Sequence, residues 1–318
     1  KKLSMSKQNE LNQLVDTLIK LGLQKPTNVN DQWCQYSDMY SLLERIRKIE
    51  SELKLKLSNR DGKNRSSAIQ TFIDWAKENG CEFDGVRISE FSGYELGLEA
   101  TRDFAKDETF IKIPKKVILY NNPESIYPII MLLKDLPMFN NLSNTLLALL
   151  LIIEKFQTKS FWKPYLDILP EKYSTVMYFT PQEMQELKGT SAFLPALNQC
   201  RIIARQYGFL KTYMQSKRNT QTILKTVLTY DIYRWAVSTV MTRQNVIPVD
   251  LDNDKKLDDT ANPLSVLIPL WDMANHMNGT ITTGYNEETQ FVESSTLSEF
   301  KKGHQIFIYY GNRSNADF

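Results

Sequence analysis

The sequence predicts an α+β fold in which short sheets are split by an inserted helical subdomain and preceded by a helical region. Three observations carry this. Helical periodicity dominates the start of the chain, short alternating apolar pieces broken by glycine and proline follow, and the strand pattern returns only after a long helical block. A small sheet interrupted in this way implies one unit inserted into another. Four segments result: an N-terminal helical region at 1–84, a first strand-rich part at 85–120, the inserted helical subdomain at 121–243, and a second strand-rich part at 244–318.

Leu11, Leu14, Val15, Leu18 and Ile19 recur at helical spacing, and Gly22 with Pro26 marks the stop. Leu42, Leu43, Ile46, Ile49, Leu53 and Leu57 predict a longer helix whose Glu/Lys/Arg face is expected to be solvated. A polar linker runs from Asn59 to Arg65, before a helix carrying Ile69, Phe72, Ile73 and Ala76 and closed by Asn79-Gly80. Strands are predicted around Val86 to Ile88, Leu96 to Ala100 and Phe110 to Ile113, punctuated by Gly85, Gly93, Gly97 and Pro114. Leu146 to Phe156 is apolar nearly all round and reads as a buried helix. Thr180-Pro-Gln-Glu183 is a capping box with proline at the first helical position. One later helix carries Leu197, Ile203, Tyr207, Leu210 and Met214, another Tyr233, Ala236, Val237, Val240 and Met241. From Ile247 strands return, with a polar loop at Asp252 to Asn262. An apolar strand from Leu264 then ends in Trp271, Asp272, Asn275 and His276, and Gln305 to Tyr310 reads as a last strand before Gly311.

Lys plus Arg (39) nearly balances Asp plus Glu (37), so no polyanion footprint is written into the total and no direct nucleic-acid partner is expected. Cys34, Cys81 and Cys200 are widely separated, without a C-x-x-C pair, which fits a reducing compartment: the cytoplasm, with the nucleus second. The longest apolar run, Leu146 to Ile153, is far below the roughly 18 residues a membrane span needs, so no membrane partner is expected. Lys1 and Phe318 read as cut ends. With only His276 and His304, neither at ligand spacing to an acid or cysteine, no metal is expected. No G-x-G-x-x-G follows a strand, and no P-loop is present. The Ser92 to Leu98 segment reads either as a ligand-approaching loop or as a hairpin turn.

An apolar strand ending in polar residues is how a buried strand delivers donors and acceptors to a pocket. Here Asn275-His276, followed by Gly303-His-Gln-Ile-Phe-Ile-Tyr-Tyr310-Gly311, resembles the paired signature of SET-domain protein methyltransferases: Asn-His, then a Gly-Glu-Glu-Ile-x-x-x-Tyr segment. The runs Tyr233 to Pro248, Leu267 to Met273 and Thr282 to Asn286 are similar to the branch that methylates a histidine of actin. That branch has a helical insert and is related to Rubisco large-subunit lysine methyltransferase. The resemblance covers roughly residues 40 to 318.

It implies a SET β-fold, S-adenosyl-L-methionine as cofactor, and actin as the protein partner of a monomeric protein-histidine N-methyltransferase. It assigns Asn245, Tyr310 and Trp271 to catalysis. Arg65, Tyr94, Glu95, Leu96, Arg243, Asp272, Met273, Ala274, Asn275 and His276 fall to the cofactor, Tyr285 and Arg313 to the substrate. Asn245 would partner the second ring nitrogen of a histidine substrate; by itself it also reads as a helix-ending asparagine. Arg65 unaided reads as a solvated arginine, Trp271 as a core aromatic and His276 as a core histidine. Asn275 is expected to hold the cofactor's amino-acid end through its side chain. Tyr309 is expected to pack on the opposite face of its strand from Tyr310. His304 stands where the signature has glutamate and is expected in a solvent-facing turn. The chain is also expected to stop short of a segment completing the cofactor pocket and of a substrate-binding lobe, leaving it weakly active. Two other functions stay open: a lysine methyltransferase of a non-histone protein, and a non-catalytic binding fragment.

Overall fold

The computed structural model describes residues 2–57, 65–122, 143–216, 222–247 and 264–312, with isolated positions 127, 129, 131 and 133 and the pairs 249–250 and 255–256. Arg313, most of the linker from Asn59 and most of the loop after Asp252 lie outside the described residues. Within that loop Lys255–Lys256 (β7) forms a short strand against Val249–Asp250 (β6), where the sequence suggested only loop.

The N-terminal helices are α1 (Met5–Leu23) and α2 (Val29–Glu50). Both start on side-chain caps: Ser4 accepts from Lys7 N and Asn28 from Asp31 N. The stripe Leu11, Leu14, Val15 and Leu18 is buried, where α1 packs on α2 and on the long helix α7 (Phe193–Ser216). α2 begins earlier and ends sooner than the leucine spacing suggested. Its first turns carry Trp33, Tyr36 and Tyr40, which join Phe193 and Met184 in an aromatic cluster with no leucine period to reveal it. Nor is its charged face wholly solvated. Glu50 is buried, accepting from Tyr207 Oη (2.6 Å) and Tyr230 N (2.7 Å) and pairing with Lys211 (2.9 Å).

Next come α3 (Ile69–Glu78), β1 (Val86–Phe91), β2 (Glu95–Ala100), β3 (Thr109–Pro114) and β4 (Leu119–Tyr120). The helical block holds α4 (Ser143–Phe156), buried along Leu146 to Ile152 as its composition requires, and α5 (Lys163–Ile168). It continues with α6 (Pro181–Glu186), which starts on the capping box, then α7, α8 (Ile223–Val227) and α9 (Tyr230–Arg243). The later strands are β5 (Gln244–Ile247), β8 (Leu264–Leu267), β9 (Asn275–His276), β10 (Thr283–Asn286), β11 (Phe291–Ser295) and β12 (Gln305–Ile308).

The strands assemble as β1-β2-β12-β9, β10-β11-β3 and β4-β8-β5, so each of these sheets mixes strands from before and after the helical block. β12 changes partner midway: Gln305 and Ile306 run antiparallel to Glu99 and Leu98, Phe307 and Ile308 parallel to Asn275 and His276. The run from Leu264 is a shorter strand than its apolarity suggested. It stops at Leu267, and Leu270 takes a left-handed φ of 72° that turns the chain into a 3-10 turn, Trp271–Met273. Such a conformation in a non-glycine residue costs about 1–3 kcal/mol, which fixed surroundings must offset. Leu270 is fully enclosed. Among the described residues no helix is long and apolar enough to cross a membrane.

Candidate functional site

The site is framed by the β1–β2 hairpin, the end of α9, the Trp271–His276 segment and β12. At the hairpin Gly93 adopts φ +82°, and Tyr94 N donates to Phe91 O, so the Ser92 to Leu98 segment is a tight hairpin turn at Ser92 to Tyr94 that runs straight into β2. The next residue, Glu95, is also left-handed (φ 59°) and meets Arg65, whose Nη1 donates to Glu95 Oε2 at 2.8 Å. Arg65 Nε donates to Ile168 O at 2.9 Å. Far from being solvated, the Arg65 side chain is 12% exposed and its Nη2 is buried without a hydrogen-bond partner among the described residues. Burial, and then the neighbouring Arg243 guanidinium, pull its pKa below the ordinary arginine value.

Arg243 closes α9 and is equally enclosed. Its Nη1 donates to Asp272 O (2.8 Å) and lies 3.3 Å from Asp272 Oδ2. Tyr165 Oη donates to the same Oδ2 at 2.6 Å, and Tyr173, 2.9 Å from the Thr239 hydroxyl, bonds the guanidinium. Burial works against the Arg243 charge, but Asp272, with the two tyrosines, more than offsets it and raises its pKa. Burial pushes the Asp272 carboxyl up, while Arg243 and Tyr165 favour its charged form. The Tyr165 hydroxyl is held neutral by burial and by the adjacent carboxylate. Arg243 Nε and Asp272 Oδ1 are buried without hydrogen-bond partners among the described residues.

β9 brings in the Asn-His pair. Asn275 Nδ2 donates to Leu96 O (3.1 Å) and Gln305 Oε1 (2.6 Å), so the donor half of this carboxamide is committed to protein rather than left for a ligand. His276 Nδ1 accepts from Tyr310 N at 3.1 Å, which requires a lone pair on that nitrogen. The two rings lie 5.1 Å apart, and Tyr309 also lies against His276, at 5.7 Å, with its hydroxyl bonded to Asn312. Tyr310 Oη donates to Ala274 O (2.7 Å), and burial pushes its hydroxyl up to about 12. Met273 lies beneath, its sulfur 4.0 Å from Arg243 Nη1. His304 sits exposed in the turn before β12.

Trp271 is 6% exposed and donates from Nε1 to Thr283 Oγ1 at 3.0 Å, so it braces β10 as a core aromatic would. Asn245 lies inside β5, opposite Val266, rather than ending α9, whose C-cap is Gln244. Its Oδ1 accepts from Val246 N at 2.8 Å. Tyr285, opposite Val292 in β10, packs against the core. Tyr94, half exposed, stands edge-on to Phe307.

Direct bonds therefore join Arg65 to Glu95, Arg243 to Asp272, Leu96 to Asn275, His276 to Tyr310 and Tyr310 to Ala274. Asn245 and Tyr285 lie on β5 and β10, and Trp271 stands in the 3-10 turn just before Asp272. Sequence reasoning missed Tyr165, Tyr173 and Gln305, since none carries a motif of its own. Two buried guanidinium N–H groups without acceptors among the described residues, Arg65 Nη2 and Arg243 Nε, suit a carboxylate such as the amino-acid end of S-adenosyl-L-methionine. A separate cleft of about 450 Å³, between the end of α2 and the start of α9, lies outside this constellation.

No family model matches the chain. It is 38% identical to an actin-histidine N-methyltransferase of Drosophila melanogaster, covering 99% of this chain and 60% of that protein. Proteins of the same name from Xenopus tropicalis (39% identity, 95% and 50%) and Gallus gallus (38%, 97% and 50%) are also similar. The chain thus spans between half and three-fifths of these relatives' length. Among solved structures it resembles the SET domain of LSMT bound to lysine and AdoHcy (TM-score 0.61, 22% identity, 79% of this chain and 56% of that one). It also resembles Rubisco LSMT bound to AdoMet (0.57, 23%, 79% and 54%). The chain has the SET fold, and the resemblance read from its motifs holds along nearly its whole length.

Proposed function

We propose that this SET-fold chain is the methyl-transferring part of a protein-histidine N-methyltransferase that uses S-adenosyl-L-methionine and acts on actin. It would work in the cytoplasm, where Cys34, Cys81 and Cys200, all free, stay reduced. The reading rests on similarity to actin-histidine N-methyltransferases and to a SET structure bound to AdoMet. One observation carries it beyond a generic methyltransferase: a carboxamide, Asn245, at the strand next to Arg243, with its oxygen held by the Val246 amide.

A neutral imidazole attacks through one nitrogen and carries a proton on the other. That second nitrogen is a donor and needs a fixed acceptor. Asn245 Oδ1, already oriented by one N–H, has a lone pair to spare and does not titrate. When bound, S-adenosyl-L-methionine supplies a methyl group activated by its sulfonium. Arg65 and Arg243 would hold its carboxylate, and backbone at 94–96 and 272–276 would line its pocket. Tyr310, neutral and tied to Ala274 O, would wall the reacting nitrogen from water. Asn245 Oδ1 would hold the proton on the second nitrogen while the first is methylated, and that proton would then be lost to solvent. Histidine suits this chemistry because its unperturbed pKa is about 6.5. A lysine near 10.4 must first lose a proton, costing about 4–5 kcal/mol at neutral pH.

The test is to incubate the full-length protein with actin and isotopically labelled cofactor and map the labelled residue. Label on a histidine is the expected result. Label on lysine alone overturns the histidine reading, and tight actin binding without label points to a binding module.

A further inference from the structure

We propose that Gln305 is a positioning residue for the cofactor pocket, its side-chain carbonyl locking the strand of Asn275–His276 to the hairpin of Tyr94–Leu96 across β12. The inference rests on the cofactor reading above, since it concerns how that pocket keeps its shape.

β12 exchanges β2 for β9 after Ile306, the residue that follows Gln305, so ladder hydrogen bonds alone leave β2 and β9 unconnected to each other. The Asn275 carboxamide bridges them. One of its hydrogens goes to Leu96 O on β2 (3.1 Å), the other to Gln305 Oε1 (2.6 Å). An amide nitrogen has only two protons, and both are used. Each partner fixes the other: without the Gln305 acceptor, Asn275 is free to rotate away from Leu96.

Gly97 supplies an independent sign that the lock is built. A Cβ there would lie 2.5 Å from Gln305 Oε1 and 2.9 Å from Asn275 Nδ2, inside van der Waals contact. Backbone between Leu96 and Leu98 therefore has to be bare for the two amides to meet. The residues held in place on either side, Glu95 with its Arg65 partner and Asp272 to His276, are those assigned to the cofactor. A shift of either wall misaligns the other without touching the protein substrate's side.

The experiment compares the parent with Gln305→Met, which keeps length but removes the acceptor, Gln305→Glu, which keeps an acceptor, and Gly97→Ala, which forces the amides apart. Calorimetric titration of the full chain with S-adenosylhomocysteine is read beside side-chain amide exchange of Asn275. We expect about tenfold weaker binding for Gln305→Met and at least as much for Gly97→Ala, the scale of one lost hydrogen bond. Gln305→Glu should stay within about twofold of the parent. The KM for the protein substrate should not move, and Asn275 exchange should speed up only in Gln305→Met and Gly97→Ala. Unchanged binding in Gln305→Met, or an equal loss in Gln305→Glu, overturns the proposal. If the parent itself fails to bind, the cofactor reading fails, while Asn275 exchange still decides whether Gln305 is the lock.

Discussion

Along one wall of the site Arg65, Arg243 and Asp272 are buried and bonded to the rest of the protein, through Ile168, Tyr165, Tyr173 and Glu95. Along the other, Asn245 and Tyr285 sit on strands and Trp271 in the turn before Asp272, and among the described residues the Asn245 carboxamide accepts from the amide of its own neighbour, Val246. The first wall desolvates its charges during folding, so an anionic ligand finds donors already aimed. On the second, the proposed function asks Asn245 to serve as an oriented acceptor for a donor that the protein substrate would bring. Stability should accordingly be concentrated on the first wall and turnover on the second.

Asp272→Ala should break that contrast most severely. It leaves the Arg243 guanidinium buried beside an empty space, and removing one partner of a buried ion pair costs about 3–5 kcal/mol. Urea unfolding should show a midpoint shift of that size with an unchanged m-value, and a loss under about 1 kcal/mol would mean that water already reaches the pair. On the other wall Asn245→Ala removes a half-exposed side chain with one local hydrogen bond, so stability should move by no more than about 0.5 kcal/mol. Single-turnover methylation of a histidine substrate should nonetheless fall about 100-fold, equivalent to about 2.7 kcal/mol of barrier. S-adenosylhomocysteine binding should not change. An equal loss of cofactor affinity would place Asn245 on the first wall.

Tyr165→Phe sharpens the same comparison at smaller scale. It deletes one hydrogen bond to a charged group, worth about 1.5–3 kcal/mol, and keeps the ring. We expect a stability loss at the lower end of that range and severalfold weaker cofactor binding, with the KM for the protein substrate unchanged. A variant in which only that KM rises would show that Tyr165 serves the second wall instead.

What the sequence could reveal divides along physical lines. Thr180 to Glu183 was legible because a capping box is written in four consecutive residues. Asn275, His276 and Tyr310 were legible because their motifs keep fixed spacing. Tyr165 was not, since its partner Asp272 lies 107 positions away, and Glu50 read as one more solvated charge because Tyr207 lies 157 away. Arg65 misled for the same reason: a polar linker conceals that its last residue turns under the hairpin. Leu264 to Leu270 read as one strand because periodicity carries no sign that pairing stops at Leu267 or that Leu270 turns left-handed. Asn245 was legible as a site residue through the resemblance alone, and its place inside a strand only from the pairing with Val266.

The smallest effect concerns protons, and it separates the two walls without any mutation. Burial raises the Tyr310 hydroxyl from 10.0 to about 12, so in the folded chain it stays neutral well into alkaline solution. Its folded pKa lies above its unfolded one. The stability it contributes is therefore fully present below about 10 and is lost as pH rises toward 12. Below that window Tyr310 imposes no titration on turnover, and Asn245 cannot titrate. The substrate's own nitrogen should then set the profile. For histidine the single-turnover rate should rise about tenfold per pH unit up to about 6.5 and run flat from about pH 7.5 to 10. A lysine would keep the rate climbing toward about 10.4. A continuing climb between pH 8 and 10 would remove the reason for an oriented carboxamide acceptor and with it the division of labour between the walls.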